Sequence, residues 1–206
     1  LGQVMTSRPC PQCQGYGTPL YTNITYPFQV DPPRVMGDPP PEYTNFDARN
    51  PVGSYRREFT VPAAWKGRQV FLQFDGVDSA FYLWINGQPV GYSQDSRTPA
   101  VFNITRFLQD GSNVLAAEVY QHSDGSYLED QDFFRLSGIY RNVYLWSAAD
   151  LHIRDFFVHA ELDPPCRDGA LRVEAEVQNF ADRPQGFSVA AELLDAAGKT
   201  VFQDLA

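Results

Sequence analysis

The chain has 206 residues, 43% of them hydrophobic and 14% aromatic, with a formal net charge of −9. A core of useful size is possible in one large domain or two smaller ones, and the acidic balance, with no stripe of Lys or Arg, makes nucleic acid and anionic membrane poor partners. No apolar run approaches the ~20 residues that span a bilayer, and the opening LGQVMTSRPCP lacks the basic and apolar regions of a secretory signal, so a cytoplasmic location is expected.

Residues 1 to 53 carry most of the prolines and no sustained period, which predicts irregular strand and loop laid over another element. Within them, Cys10 and Cys13 have the C-x-x-C spelling of a zinc module. A structural zinc needs four ligands in tetrahedral array, and the remaining candidates, Cys166 and the three histidines His122, His152 and His159, stand at no ligand spacing. Two thiols in an irregular entry segment are therefore expected rather than a metal centre.

From Ser54 the pattern changes. SYRREFTV, QVFLQFD, AFYLWIN, QPVGYS, NVLAAEVYQ and RNVYLWS are short runs rich in β-branched and aromatic residues, broken by Gly, Asn, Asp and Pro. Asn86-Gly87 predicts a two-residue hairpin, because a type I′ turn requires positive φ at both central positions. A brief helical turn is expected at Pro62 to Lys66. Strands at this spacing imply an antiparallel sandwich of jelly-roll type over residues 1–148. After Asp150, LHIRDFFVHAEL, ALRVEAEVQNF and FSVAAELLDA alternate apolar and polar residues, with turns at DPPCRDG, ADRPQG and AAGK. These predict the start of an immunoglobulin-like β-sandwich over residues 149–206, short of the seven strands such a domain uses.

Three segments carry chemistry: YTNITYPF (Tyr21 to Phe28), the run from Phe74 to Thr105, and SDGSYLEDQDFFRLSGIYRNVYL (Ser123 to Leu145). In the last, Glu129, Asp130 and Asp132 are crowded between aromatics. A retaining glycosidase needs two carboxyl groups about 5 to 5.5 Å apart. In extended chain Glu129 and Asp132 would stand about 10 Å apart on opposite faces. A single carboxylate beside Phe133 and Phe134 suits binding better, with ring faces for a sugar and an acceptor for its hydroxyls or for a cation. The alternative reading is a solvated acidic loop. Asn23-Ile-Thr and Asn103-Ile-Thr spell glycosylation acceptors, relevant only along a eukaryotic secretory route.

Taken together, GYGTPLYTNITYP (Gly15 to Pro27), FDGVDSAFYLWINGQPVGYSQDSRTPAVF (Phe74 to Phe102) and HSDGSYLEDQDFFRLSGIYRNV (His122 to Val143) closely resemble the amino-terminal sugar-binding domain of the large bacterial β-galactosidases of glycoside hydrolase family 2. The resemblance is strong over residues 14 to 147. It implies a galactose-binding-domain-like jelly roll that sits against a catalytic barrel and lends it side chains. Asn23 would reach galactosyl hydroxyls, its amide both donating and accepting as they do. Asp132 would hold sodium and the galactose 6-hydroxyl, the sodium shell being completed by ligands outside this chain.

The resemblance also places the two catalytic glutamates and the magnesium ligands on the barrel, outside these 206 residues, so the chain is expected to be a non-catalytic part of a retaining β-galactosidase. Its implied partners are galactosides, the remaining domains of the enzyme, and further copies in a homo-oligomer. The sequence departs from the family pattern at Cys13, at His122 where Trp is usual, at Phe133-Phe134 where Met-Trp is usual, and at Asp78 where Asn is common. Other readings are a free-standing carbohydrate-binding module, a structural assembly domain, and a family 2 enzyme acting on β-glucuronides or β-mannosides.

Overall fold

The computed structural model describes residues 3–5, 20–23, 25–35 and 50–205, which divide between two compact units, 1–148 and 149–206. Cys10 and Cys13 lie outside the described residues. In the first unit the strands are β1 (Gln3–Met5), β2 (Leu20–Thr22), β3 (Val52–Thr60), β4 (Gln69–Phe74), β5 (Val77–Asp78), β6 (Ala80–Ile85), β7 (Gln88–Gln94), β8 (Ala100–Asn103), β9 (Ser112–Tyr120), β10 (Phe133–Arg135), β11 (Gly138–Ile139) and β12 (Val143–Ala148). Three-residue 3-10 turns at Ala63–Trp65 and Thr105–Phe107 and a four-residue one at Asp124–Tyr127 interrupt them. No helix among the described residues is long and apolar enough to cross a membrane.

Two four-stranded antiparallel sheets, ordered β1-β12-β4-β8 and β3-β9-β6-β7, form the sandwich, and sheet neighbours come from distant parts of the chain as jelly-roll winding requires. Strand alternation builds its core. In β9, Asn113, Leu115, Ala117 and Val119 point inward and are buried, while Val114, Ala116, Glu118 and Tyr120 face outward and stay partly exposed. Leu72 and Phe74 of β4, Phe81, Leu83 and Ile85 of β6, and Val143 and Leu145 of β12 meet the β9 residues in one cluster. Phe81 sits 4.7 Å from Phe74 and 5.9 Å from Phe102, ring centre to ring centre. At the hairpin, φ is 51° at Asn86 and 77° at Gly87, the sign the type I′ turn demands. The Asn86 side chain also accepts from Val114 N at 2.8 Å and donates to the buried Asn113 Oδ1 at 2.8 Å, so the turn is locked to β9.

The second unit consists of strand pairs β13 (Leu151–Leu162) with β14 (Gly169–Asn179) and β15 (Ala190–Leu194) with β16 (Thr200–Leu205). The β13–β14 turn is held by Asp163, whose Oδ1 accepts from Arg167 N at 2.6 Å and Asp168 N at 3.0 Å. Asp195 does the same for the β15–β16 turn, accepting from Ala197 N and Lys199 N at 2.9 Å each. The apolar side chains Phe156, Phe157, Leu162 and Phe202 are exposed in this unit. β16 adds a strand to the three pieces expected from the sequence in this unit.

Candidate functional site

Short antiparallel ribbons hang on the sandwich, and one of them carries the residues singled out above. β2 pairs with β10 in the register Thr22↔Phe133, Tyr21↔Phe134 and Leu20↔Arg135. Continued by one residue, that register sets Asn23 opposite Asp132. Alternation then sorts the ribbon into two faces. Tyr21, Asn23, Asp132 and Phe134 are on the outer face and exposed, Phe134 by 66%, whereas Thr22 is 3% and Arg135 5% exposed on the inner one. The two residues proposed for sugar contact thus share one face although 109 positions separate them in the chain.

The segment bearing Asn23 is fastened to the SDGSY motif. Tyr127 of the 3-10 turn donates its hydroxyl to Arg34 O at 2.5 Å and accepts from Asp31 N at 2.9 Å, and Tyr26 donates to Tyr127 O at 2.8 Å. The Phe28 ring packs edge-on against both Tyr127 and His122. The turn itself is pinned from below, with Ser79 Oγ 2.6 Å from Ser123 Oγ and 3.1 Å from Ser126 Oγ.

The three crowded carboxylates part company in space. Glu129 is held by Ser96, accepting from its N and its Oγ at 2.7 Å each. Asp95 makes the supporting turn, its carboxylate taking the Thr98 hydroxyl at 2.7 Å and Arg97 N at 3.2 Å, which keeps its pKa below the usual carboxylate range. Asp130 pairs with the buried guanidinium of Arg135. Asp132 alone is exposed, and its Oδ1 accepts the Tyr21 hydroxyl at 2.5 Å, a bond that raises the Tyr21 pKa. Each of the three carboxylates thus has a different partner. Of the two flanking phenylalanines, Phe133 is covered by Arg97 at 4.9 Å and Arg135 at 5.3 Å, leaving Phe134, 5.4 Å from the Tyr21 ring, as the exposed one.

Behind the ribbon lies a polar cavity of about 10 Å³, lined by Asp78, Arg97, His122, Glu129, Arg135 and neighbouring side chains. Burial pushes the Asp78 carboxyl above its ordinary range, with Arg97 pulling the other way. Asp78 lies within 3.3 Å of Ser96 Oγ, on the inner side, and takes no part in the exposed face. Burial, reinforced by the charge of Arg135, lowers the His122 pKa from 6.5 to about 4.

The folded chain thus refuses a proton that the unfolded chain binds, so this part of the stability is complete above the unfolded value and is lost as pH falls toward 4. The loss expected across that window is about 3 kcal/mol, and Asp78, with its raised carboxyl, works in the opposite sense. His122→Phe should flatten the slope of unfolding free energy between pH 7 and pH 4.5, read from denaturant curves at several pH values. An unaltered slope would contradict the assignment.

Among the described residues no group of three or more His, Cys, Asp or Glu side chains is gathered as a metal centre would need. Asp132 presents an exposed carboxylate with one oxygen accepting from Tyr21, the kind of oxygen ligand a hard cation takes. The sequence reading missed Tyr21, Thr22 and Arg135, whose importance comes from cross-strand neighbours far away in the chain.

An exposed carboxylate, an amide and two aromatic rings on one face of a ribbon, carried by a two-sheet sandwich, equip a domain to meet a polyhydroxylated ligand. The chain belongs to glycosyl hydrolase family 2, whose sugar binding domain matches residues 7–149. It is 48% identical over 197 residues to a β-galactosidase of Priestia megaterium, covering 93% of this chain and 18% of the relative. Against a β-galactosidase of Aeromonas hydrophila it is 52% identical over 178 residues, covering 86% of this chain and 16% of the relative. The chain thus spans less than a fifth of the length of these relatives. Among solved structures, Bacteroides uniformis β-glucuronidase 2 aligns with a TM-score of 0.65 at 27% identity, over 75% of this chain and 19% of that one.

Proposed function

We propose that this chain is the non-catalytic, sugar-binding amino-terminal part of a retaining β-galactosidase, and that its outer ribbon face lends galactosyl and sodium contacts to an active site completed by other domains. The observation that supports it is that Asn23 and Asp132 are both exposed and fall on one face when the β2–β10 register is extended by a residue, while Glu129 and Asp130 are engaged by Ser96 and Arg135. Asn23 would exchange hydrogen bonds with galactosyl hydroxyls. Asp132 would hold sodium with its ionised carboxylate and orient the 6-hydroxyl. Bound there, sodium supplies a positive charge that draws in a hydroxyl oxygen. The magnesium and the catalytic glutamates of such an enzyme would sit on residues outside this chain, and the covalent galactosyl intermediate would form there.

On this reading the substrate is a neutral β-galactoside rather than a uronic acid. The higher identity to β-galactosidases than to the aligned β-glucuronidase agrees with that preference. In the intact enzyme, Asn23→Ala should raise KM for a chromogenic β-galactoside roughly tenfold, through loss of paired hydrogen bonds. β-Glucuronides and β-mannosides should remain poor substrates. An unchanged KM would assign the domain to assembly instead. The 206-residue chain alone should show no turnover and only millimolar affinity for galactose by calorimetry, because two side chains cannot offset the cost of ordering a mostly exposed ligand. Micromolar binding would mark a self-sufficient carbohydrate-binding module.

A further inference from the structure

We infer that Arg135 is a positioning residue that fixes the spacing of Asn23 and Asp132, acting through Thr22 on β2 and through Asp130 in the segment that leads into β10. The inference rests on the site reading above and goes past it to what holds the site in shape. β2 and β10 are three residues each and, among the described residues, pair only with one another. So short a ribbon has little stability of its own. Backbone pairing alone therefore leaves the mutual placement of two exposed side chains loosely defined.

The buried guanidinium supplies the missing constraint. Arg135 Nε donates to Thr22 Oγ1 at 2.7 Å, and Nη2 donates to the Asp130 carboxylate. Its charge lies 5.3 Å from the centre of the Phe133 ring. Thr22 directly precedes Asn23, Phe133 directly follows Asp132, and Asp130 stands two residues before it. One rigid, planar group thus touches the flanks of both site residues, from the face opposite the ligand. A lysine cannot reproduce this, since its ammonium is a point charge without the fork that reaches two acceptors in fixed directions.

The pair Thr22→Val and Thr22→Ser in the intact enzyme isolates the effect. Valine keeps the shape and removes the acceptor of Nε, whereas serine restores it. Galactose affinity by calorimetry and the sodium concentration giving half-maximal activity should both weaken roughly tenfold in Thr22→Val, about the loss expected when a hydrogen bond to a charged group is removed. Both should return to within about twofold of wild type in Thr22→Ser. Arg135→Lys, where it folds, should behave like Thr22→Val. A Thr22→Val enzyme that loses thermal stability while binding galactose and sodium as wild type would overturn the inference and leave Arg135 a merely structural residue. Asp132→Asn separates the two levels. If it weakens sodium dependence and Thr22→Val does not, the positioning inference fails and the site stands. Should Asp132→Asn change nothing, the site reading fails and the inference falls with it.

Discussion

Asp132→Asn in the intact enzyme is expected to lower kcat/KM for β-galactosides by roughly 10- to 100-fold and to abolish the response to sodium, the size of effect seen when hydrogen bonds to a charged group are lost. The substitution is nearly isosteric, so the ribbon register and the tilted packing of Tyr21 against Phe134 should survive. What changes is the ligand chemistry. The carboxylate has one oxygen accepting from the Tyr21 hydroxyl and faces solvent with the rest of its surface. An amide removes the charge that draws a cation and turns one acceptor into a donor. Steady-state kinetics over a sodium series at constant ionic strength measures this directly. A variant with the wild-type sodium profile would remove Asp132 from the site.

Glu129→Gln makes the matching control, because its carboxylate is spent on Ser96. It should cost stability and leave the sodium response in place.

Phe81→Ala should destabilise the first unit by about 3–5 kcal/mol, the range for deleting a buried aromatic side chain. Phe81 is 2% exposed and packs against Phe74 of β4 and Phe102 of β8, so its removal opens a gap between its own sheet and the facing one. Surrounding strands that hydrogen-bond on both sides have little freedom to close the gap. Urea denaturation followed by tryptophan fluorescence reports this unit selectively, as Trp65, Trp84 and Trp146 all belong to it. The midpoint should fall with the slope preserved. A loss below about 1 kcal/mol would mean that the site collapses freely, contrary to the packing described.

The strands of the sandwich were legible because a half-buried strand writes its orientation into alternating residues, as NVLAAEVYQ does for β9. Asn86-Gly87 announced its hairpin for an equally local reason, the positive φ at both positions. The ribbons β2–β10 and β5–β11 escaped, since strands of two or three residues are too short to display a period. β8, at four residues with a 3-10 turn close behind, was passed over for the same reason.

For the site, the sequence by itself determined which residue types are available and, through its long motifs, the family whose chemistry they suit. Apart from that resemblance, which singles out Asp132, local pattern could not rank the acids of EDQD, because three neighbouring carboxylates have the same local surroundings in an extended chain. Their fates were decided by the partners that folding gives them: Ser96 for Glu129, Arg135 on the inward face of β10 for Asp130, and Tyr21 for Asp132. A carboxylate can bind a ligand where the fold leaves it exposed, as it does Asp132 beside Tyr21, and which donors arrive is decided across 33 residues of chain for Ser96 and 111 for Tyr21 rather than within the tetrapeptide itself.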